Sequence, residues 1–593
     1  MPQKTKYPLI LINFLVAVIL LTVPLLARAQ QVPDIVNQQD WITRQMQKKI
    51  EDNRRARQQE ASDKEENNKE KEVEAEQQDS GSAKPIGCFP IKTINLAGAN
   101  SISKGQQKKL IEAFIGKCAE TKVLAEIIST IQTYYKDHGY AVAQVSFPEQ
   151  NIQTGNIEVK VSEGTIGKIV LNEDKITDKM QKFTAFGNIE GDTLNMDDLN
   201  QGLYQMNRLP SNNASIKIYP SENEGESKIS ITNEKNFPAN ATIGYDNLGN
   251  DYTGVNRTSF SSEIDNLLFL NDALNLSYTA NLNSNRDIQD NKSFTGDFSI
   301  PFGYYTFTYD YARSDYLRVE TLDTITGYTN SNNITIDRVL FTKDDLKISG
   351  NTSFNKKSSA SYLNQHKIAI SERELSIASI EFAISNSFKN GTDLYVKPTY
   401  SKGLKILDAE KDSENLSSNF PKAQFERFKL YATISKKFTI PKLDTPVELA
   451  TEIDSQYSQD MLFGSEQFSV GGYYSVRGFR DTYLTGNSGY YFRNTANVNV
   501  GSLILPLINK ENPGYLTNLN KFKIEPFYDY GHVRVQANDT RGRLSGAGVK
   551  TIFESDYFNA SLTYSVVTSR SQLLNQNDKE NRIVYFEISA TCC

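Results

Sequence analysis

The chain has 593 residues, with 65 Lys and Arg against 71 Asp and Glu, a formal net charge of −6. That length exceeds one compact domain, and so weak a charge gives no electrostatic footprint for a nucleic-acid partner. Hydrophobic residues make up only 38%, and beyond the N-terminus no apolar run approaches the roughly 18–20 residues that a spanning helix requires, which excludes a helical membrane protein.

The first segment, residues 1–29, has Lys4 and Lys6, an apolar stretch from Leu9 to Leu26, and Ala27-Arg28-Ala29 in the small-x-small form of a cleavage site. It reads as a secretory signal peptide, with an uncleaved anchor as the alternative. Residues 30–60 carry Ile35, Ile42, Met46 and Ile50 at mostly helical spacing, with Trp41 beside them; this is an amphipathic helix with a thin apolar stripe. Residues 61–86 continue a run of charged and amide side chains ending in Ser80-Gly81-Ser82, a flexible linker.

Residues 87–163 read strand, helix, helix, strand, strand. Ile91, Ile94 and Leu96 form the first apolar segment; Gln106 to Phe114 and Val123 to His138 are helices; Ala141 to Phe147 and Asn156 to Val161 are the closing strands. The second helix puts Leu124, Ile127, Ile128, Ile131 and Tyr135 on one face and stops at a glycine. Export places Cys88 and Cys118 in an oxidising compartment, where a bond between them would close a loop of about thirty residues, worth roughly 3–4 kcal/mol in chain entropy. A second α+β unit occupies 164–236, with helices at Thr177 to Phe186 and Asp197 to Asn207 and a hairpin of Ala214 to Tyr219 with Lys228 to Thr232.

From Phe237 to Cys593 the pattern becomes strands of roughly ten residues separated by Asn, Asp, Ser and Gly clusters. Tyr305, Phe307, Tyr309 and Tyr311 alternate with Thr306, Thr308 and Asp310; Phe428, Leu430, Ala432 and Ile434 alternate with Lys429, Tyr431, Thr433 and Ser435. A soluble sandwich turns such an apolar face inward and a barrel in lipid turns it outward, so alternation alone leaves the sense open. About 357 residues accommodate about sixteen strands of roughly 22 residues each, loops included. The 31 Tyr and 30 Phe suit the aromatic girdles of such a barrel.

Two motifs stand out near the C-terminal end. Gly471-Gly472-Tyr473-Tyr474-Ser475-Val476-Arg477-Gly478-Phe479 has glycines at both ends and one cation at its tip, and Phe527-Tyr528-Asp529-Tyr530-Gly531 supplies an anion. Either is an ordinary turn or strand taken alone; together they suggest a charge clasp inside a barrel. In this pair the chain resembles the Omp85 superfamily, whose inward-folding sixth loop presents a V-R-G-F/Y tip to an F-x-D-x-G strand.

Further resemblance narrows the branch. Cys-Phe-Pro-Ile at 88–91, Tyr134-Tyr135 with Gly139-Tyr140, and Val161-Ser162-Glu163-Gly164 are similar to the first POTRA domain of two-partner secretion transporters, and Asp246-Asn247 with Gly249, Thr253-Gly254 and Arg257 is similar to their first barrel hairpin. The resemblance implies a transmembrane antiparallel β-barrel in the bacterial outer membrane, preceded by two periplasmic POTRA domains and an N-terminal plug helix. It implies a Cys88–Cys118 bridge and a lumen clasp of Arg477, Gly478, Phe479 and Asp529. The loop motif Gly471, Gly472, Ser475 and Val476 and the strand motif Phe527 and Gly531 support that clasp. It further implies a large secreted exoprotein of the TpsA type as partner to a monomeric transporter. The POTRA strand edges would dock this unfolded cargo, which would thread the lumen once the helix near Trp41 leaves it.

Enzymatic chemistry finds no foothold. His138, His366 and His532 stand far apart, and no H-E-x-x-H, G-x-S-x-G or phosphate-binding glycine loop is present. No cofactor, catalytic residue or metal is expected. Gly546-Ala547-Gly548 reads as barrel wall with close backbone packing. The alternatives are a barrel-assembly member of the same superfamily, and, from other classes, a porin or a surface adhesin.

Overall fold

The computed structural model describes residues 88–282, 287–319, 323–343, 345–440, 445–501, 521–535, 539–574 and 581–592. The expected signal peptide, plug helix and linker of residues 1–86 lie outside the described residues, as does Cys593.

The first unit comprises β1 (Thr93–Ala97), α1 (Lys104–Glu112), α2 (Thr121–Asp137), β2 (Gln144–Ser146) and β3 (Asn156–Ser162). Its sheet order is β1-β3-β2, with β1 and β3 parallel and β2 antiparallel to β3. A parallel pair needs a crossover, and the two helices supply it. Ile127, Ile131 and Tyr135 of α2 are fully buried against Ile94, Leu96, Val159 and Val161. Cys88 and Cys118 are disulfide-bonded. Glu163 is the polar hub of this core: it accepts from the Ser101 N–H at 2.8 Å, the Ser101 hydroxyl at 2.9 Å and the Tyr135 hydroxyl at 2.7 Å. Burial, and then that bond to Glu163, push the Tyr135 hydroxyl pKa up.

The expected strand Ala141 to Phe147 is shorter than its alternation suggests. A turn in which the Ala143 N–H donates to the Tyr140 carbonyl occupies its start, leaving only three rungs to pair. His138 caps α2, with Nδ1 2.7 Å from the Tyr134 carbonyl and its ring stacked on Tyr134.

The second unit repeats the plan with β4 (Thr165–Leu171), α3 (Ile176–Phe186), α4 (Met196–Asn207), β5 (Asn212–Pro220) and β6 (Glu226–Lys235), ordered β4-β6-β5. It is bolted to the barrel rim by side chains that replace water at turn carbonyls. Gln201 and Gln205 donate to the Gly303 carbonyl at 3.1 and 2.8 Å, and Arg208 donates to Ser299 Oγ at 2.7 Å and the Asn271 carbonyl at 2.6 Å. The Tyr304 hydroxyl reaches Asp198 at 2.7 Å.

Sixteen antiparallel strands then close a barrel, the first (Ala239–Asp246) pairing with the last (Arg582–Cys592); the two-residue strand His366–Lys367 adds two rungs on Leu346–Leu363. The apolar face points outward: Phe307 and Tyr309 are 46% and 45% exposed, while Asp310, next along the strand, is buried and accepts from Asn333 at 2.8 Å. Thr306, Thr308 and Asp310 line an internal cavity of about 620 Å³. Several strands outgrow the expected ten residues, Thr324–Lys343 reaching 20, because polar alternation lets a hairpin continue into water after the apolar belt ends.

Closure is the thinnest part of the ladder, with six rungs between Asp246↔Glu587 and Ala241↔Cys592. The Asn247 side chain extends it. Its amide donates to the Val584 carbonyl at 2.9 Å and its oxygen accepts the Phe586 N–H at 2.8 Å, so a side-chain amide stands in for the next peptide unit.

Candidate functional site: a loop clasped inside the barrel

Between strands Thr445–Tyr457 and Ser488–Asn499 the chain leaves the wall and re-enters it. Phe468–Val470 and Leu484–Gly486 pair as a short hairpin beneath the tip. Gly471, Gly472 and Gly478 have φ of 116°, 88° and 112°, a region that side-chain-bearing residues rarely adopt. Ser475 locks the bend by accepting the Gly471 N–H and donating to the Gly471 carbonyl, both at 2.9 Å.

The tip delivers Arg477 to Asp529, on strand Phe522–Val535. Nε lies 2.7 Å from Oδ2, Nη2 lies 2.8 Å from Oδ1, and the Arg477 backbone N–H also donates to Oδ2 at 3.0 Å. Arg477 is 1% exposed and Asp529 0%. The guanidinium also lies 3.5 Å from the Phe527 ring centroid and has Glu525 at 3.5 Å from Nη1. Two aligned charge-assisted bonds with a ring face beneath are the geometry that arginine, and not lysine, provides.

Apolar packing fixes the rest. Val476 and Phe479 are fully buried in a cluster with Phe468, Val470, Leu484, Val533 and Leu544. Gly531 leaves room for it, since a Cβ there would meet Val470 at 2.8 Å and Val476 at 2.9 Å. The structure therefore brings Arg477, Val476, Phe479 and the loop glycines together with Phe527, Asp529 and Gly531, with Tyr528 on the opposite face of its strand, while Cys88 and Cys118 sit apart in the first N-terminal unit.

Several participants escaped the sequence. Gly546 does more than pack wall on wall: a Cβ there would lie 1.8 Å from the Arg477 carbonyl oxygen. Tyr585 on the last strand donates to the Phe479 carbonyl at 3.0 Å, and Tyr473 donates to Glu587 at 2.5 Å. The loop tip thus rests on the closure strand, where Asp246 and Arg257 of the first hairpin also pair at 2.8 Å. At the base of the loop Glu466, fully buried, meets Lys357 at 2.8 Å and Arg427 at 2.9 Å. Strand parity carried one missed signal, because Glu525, Phe527, Asp529 and Gly531 share one face. Glu466, a lone acid with partners over a hundred and about forty positions away, left no such trace.

Known proteins share this architecture. Residues 89–164 match a POTRA domain of the ShlB type and 165–220 a further POTRA domain. The outer membrane transporter CdiB of Dickeya dadantii (strain 3937) is 29% identical over 416 residues, covering 69% of this chain and 72% of that one. The hemolysin transporter protein ShlB of Serratia marcescens is 26% identical over 412 residues, covering 69% and 72%. The solved structure of CdiB from Escherichia coli superposes with a TM-score of 0.78 at 23% identity, over 95% of this chain and 100% of that one, a likeness of fold. The model of haemolysin secretion/activation proteins ShlB/FhaC/HecB spans residues 225–551, more than half the chain, and the chain belongs to that family.

Proposed function

We propose that this chain is the outer-membrane transporter of a two-partner secretion pair. In this reading its POTRA domains lie in the periplasm, capture a large unfolded exoprotein of the TpsA type, and pass it to the barrel for release at the cell surface. The observation that carries the reading is the loop held inside the barrel wall by the buried Arg477–Asp529 pair. A conduit for chain needs a wall element held in a fixed position that cargo can pass, and the clasp supplies one.

The edges of the POTRA sheets suit capture. The outer strands β1, β2 and β5 each have one neighbour, so backbone donors and acceptors remain for an extended chain to pair with, whereas the far edge of β4 is filled by Glu190, Gly191 and Asp192. The Arg477 clasp then serves as a positioning device, with Gly478 supplying the turn and Phe479 the packing. Conduction, not bond chemistry, is the activity assigned. The plug role of residues 30–60 belongs to the same proposal.

The test is export of a co-produced TpsA-type exoprotein, measured in cells producing the full transporter or one lacking residues 88–233. Loss of export from the deletion, with the barrel still in the outer membrane, supports the reading. Undiminished export would overturn it.

A further inference from the structure

Helix α3 carries an apolar stripe that the POTRA core does not use. Ile176, Met180 and Phe183 recur at i, i+4 and i+7 and are 73%, 37% and 52% exposed, while Gln181, Thr184, Ala185 and Phe186 take the inward positions. A solvated helix face is normally polar, and an apolar one marks a surface that something covers.

A second element at the same rim repeats the anomaly. The turn between strands Arg257–Asp265 and Ala273–Asn281 reads Asn266-Leu267-Leu268-Phe269-Leu270-Asn271. Leu267, Leu268 and Phe269 are all about half exposed, and Phe269 stands at φ 61°. Turns of this kind are ordinarily built from Gly, Asn, Asp and Ser. The turn is joined to α3 directly: the Asn271 amide donates to the Gln181 carbonyl at 2.7 Å and to Thr184 Oγ1 at 2.9 Å.

Both elements abut the lipid-facing belt. Phe183 makes an edge-to-face contact with Phe302 at 5.3 Å between centroids, and Phe302 lies on the outward face of strand Gln289–Phe302, in register with outward Tyr305. The Gly303 N–H donates to the Thr184 carbonyl at 2.9 Å, fixing the helix at the point where the belt ends. The stripe is thus a continuation of the barrel's apolar surface beyond the last rung of the wall.

We propose that α3 and the turn 266–272 form a footing in the periplasmic leaflet of the outer membrane. The occupant is phospholipid: acyl chains against Ile176, Met180, Phe183, Leu267, Leu268 and Phe269, with Lys175 and Lys179, both solvent-exposed, at headgroup level. The second POTRA unit is then held by lipid on one side and by the Arg208, Gln201 and Gln205 bonds on the other, which sets its strand edges at a constant angle to the barrel mouth. This rests on the barrel spanning a membrane.

The test places single tryptophans in the full-length chain with Trp41→Phe, reconstituted in phosphatidylethanolamine/phosphatidylglycerol vesicles with or without brominated acyl chains. Met180→Trp and Leu268→Trp replace side chains with more than a third of their surface open, with heat-modifiability of each variant checking that the barrel has folded, and Leu430→Trp on the outward barrel face is the control. The expected result is a blue-shifted emission for both probes that brominated lipid quenches, as it does the control, consistent with burial about 5–10 Å into the interface. Quenching of Leu430→Trp without quenching of Met180→Trp and Leu268→Trp overturns the footing and leaves the barrel standing. Absence of quenching at all three overturns both. Protection of Met180→Trp only when secreted partner is added would assign the stripe to protein and overturn the proposal.

Discussion

The guanidinium of Arg477, on a loop, and the carboxylate of Asp529, on the wall, meet at 2.7 and 2.8 Å with both side chains shut off from solvent. A buried pair of this kind does not itself guarantee stability, because desolvating two charges offsets most of their attraction. Its effect is selective: only one loop position makes both short bonds, and any other breaks them in a site shut off from solvent.

Arg477→Ala removes the cation that bonds Asp529 at two points and leaves that carboxylate buried with both bonds unmade, a cost of about 3–5 kcal/mol to the clasped loop. Export of the partner is expected to fall to background, while heat-modifiable barrel recovered from outer membranes stays near the parent level, because the 16-strand ladder does not include the loop. Arg477→Lys keeps the charge but loses the two-point geometry and is expected to restore little. Normal export by either variant would remove the clasp from the mechanism.

Gly546→Val tests the same loop from the opposite side. The added carbons have no space beside the Arg477 carbonyl, so the tip must lift and the ion pair must lengthen. Export is expected to fail as in Arg477→Ala, although no charge has changed. A Cβ at Gly303 meets nothing within 4 Å, yet Gly303 has φ 56°, so Gly105, which has open space and no such constraint, is the better control site for Gly→Ala.

In the first POTRA unit, Glu163→Ala leaves the Ser101 N–H and the Tyr135 hydroxyl without their acceptor. Leaving such groups unsatisfied in a core costs about 1–3 kcal/mol each. Replacing Cys88 and Cys118 by Ser removes the cross-link over a separation of 30 residues, a loss of roughly 3–4 kcal/mol on the chain-entropy account. Calorimetry of the intact protein is expected to show the POTRA transition moving down in both variants and the barrel transition unmoved.

The cavity inside the barrel is lined by the acids Glu263, Asp297, Asp310, Asp337, Asp393, Glu448, Glu452 and Glu525 against the bases Arg208, Arg338, Lys347, Lys437 and Arg493. Acid predominates, and low-dielectric walls focus that field. Planar-bilayer currents through protein lacking residues 30–80 are expected to be cation-selective, with a reversal potential that moves toward zero as salt screens the lining. The same recording tests the proposed plug, since the full chain is expected to conduct less than the deletion.

Much of this molecule was written locally. Period-two alternation at Tyr305 to Tyr311 and Phe428 to Ser435 marked strands, the 3.6-residue spacing of Leu124 to Tyr135 marked α2, and glycines around Arg477 marked a tight tip, because each depends on residues a few positions apart. Local pattern also overreached: Ala141 to Phe147 alternates along its length, but only three residues find partners. What lay beyond local reach was which atoms meet. That Gly546 receives the Arg477 carbonyl, that Glu466 sits between Lys357 and Arg427, and that Asn247 completes the closure ladder are all decided by wrapping the sheet until its first strand meets its last. Closure fixes registers across separations of up to several hundred residues, and no short-range periodicity encodes a register between strands so far apart.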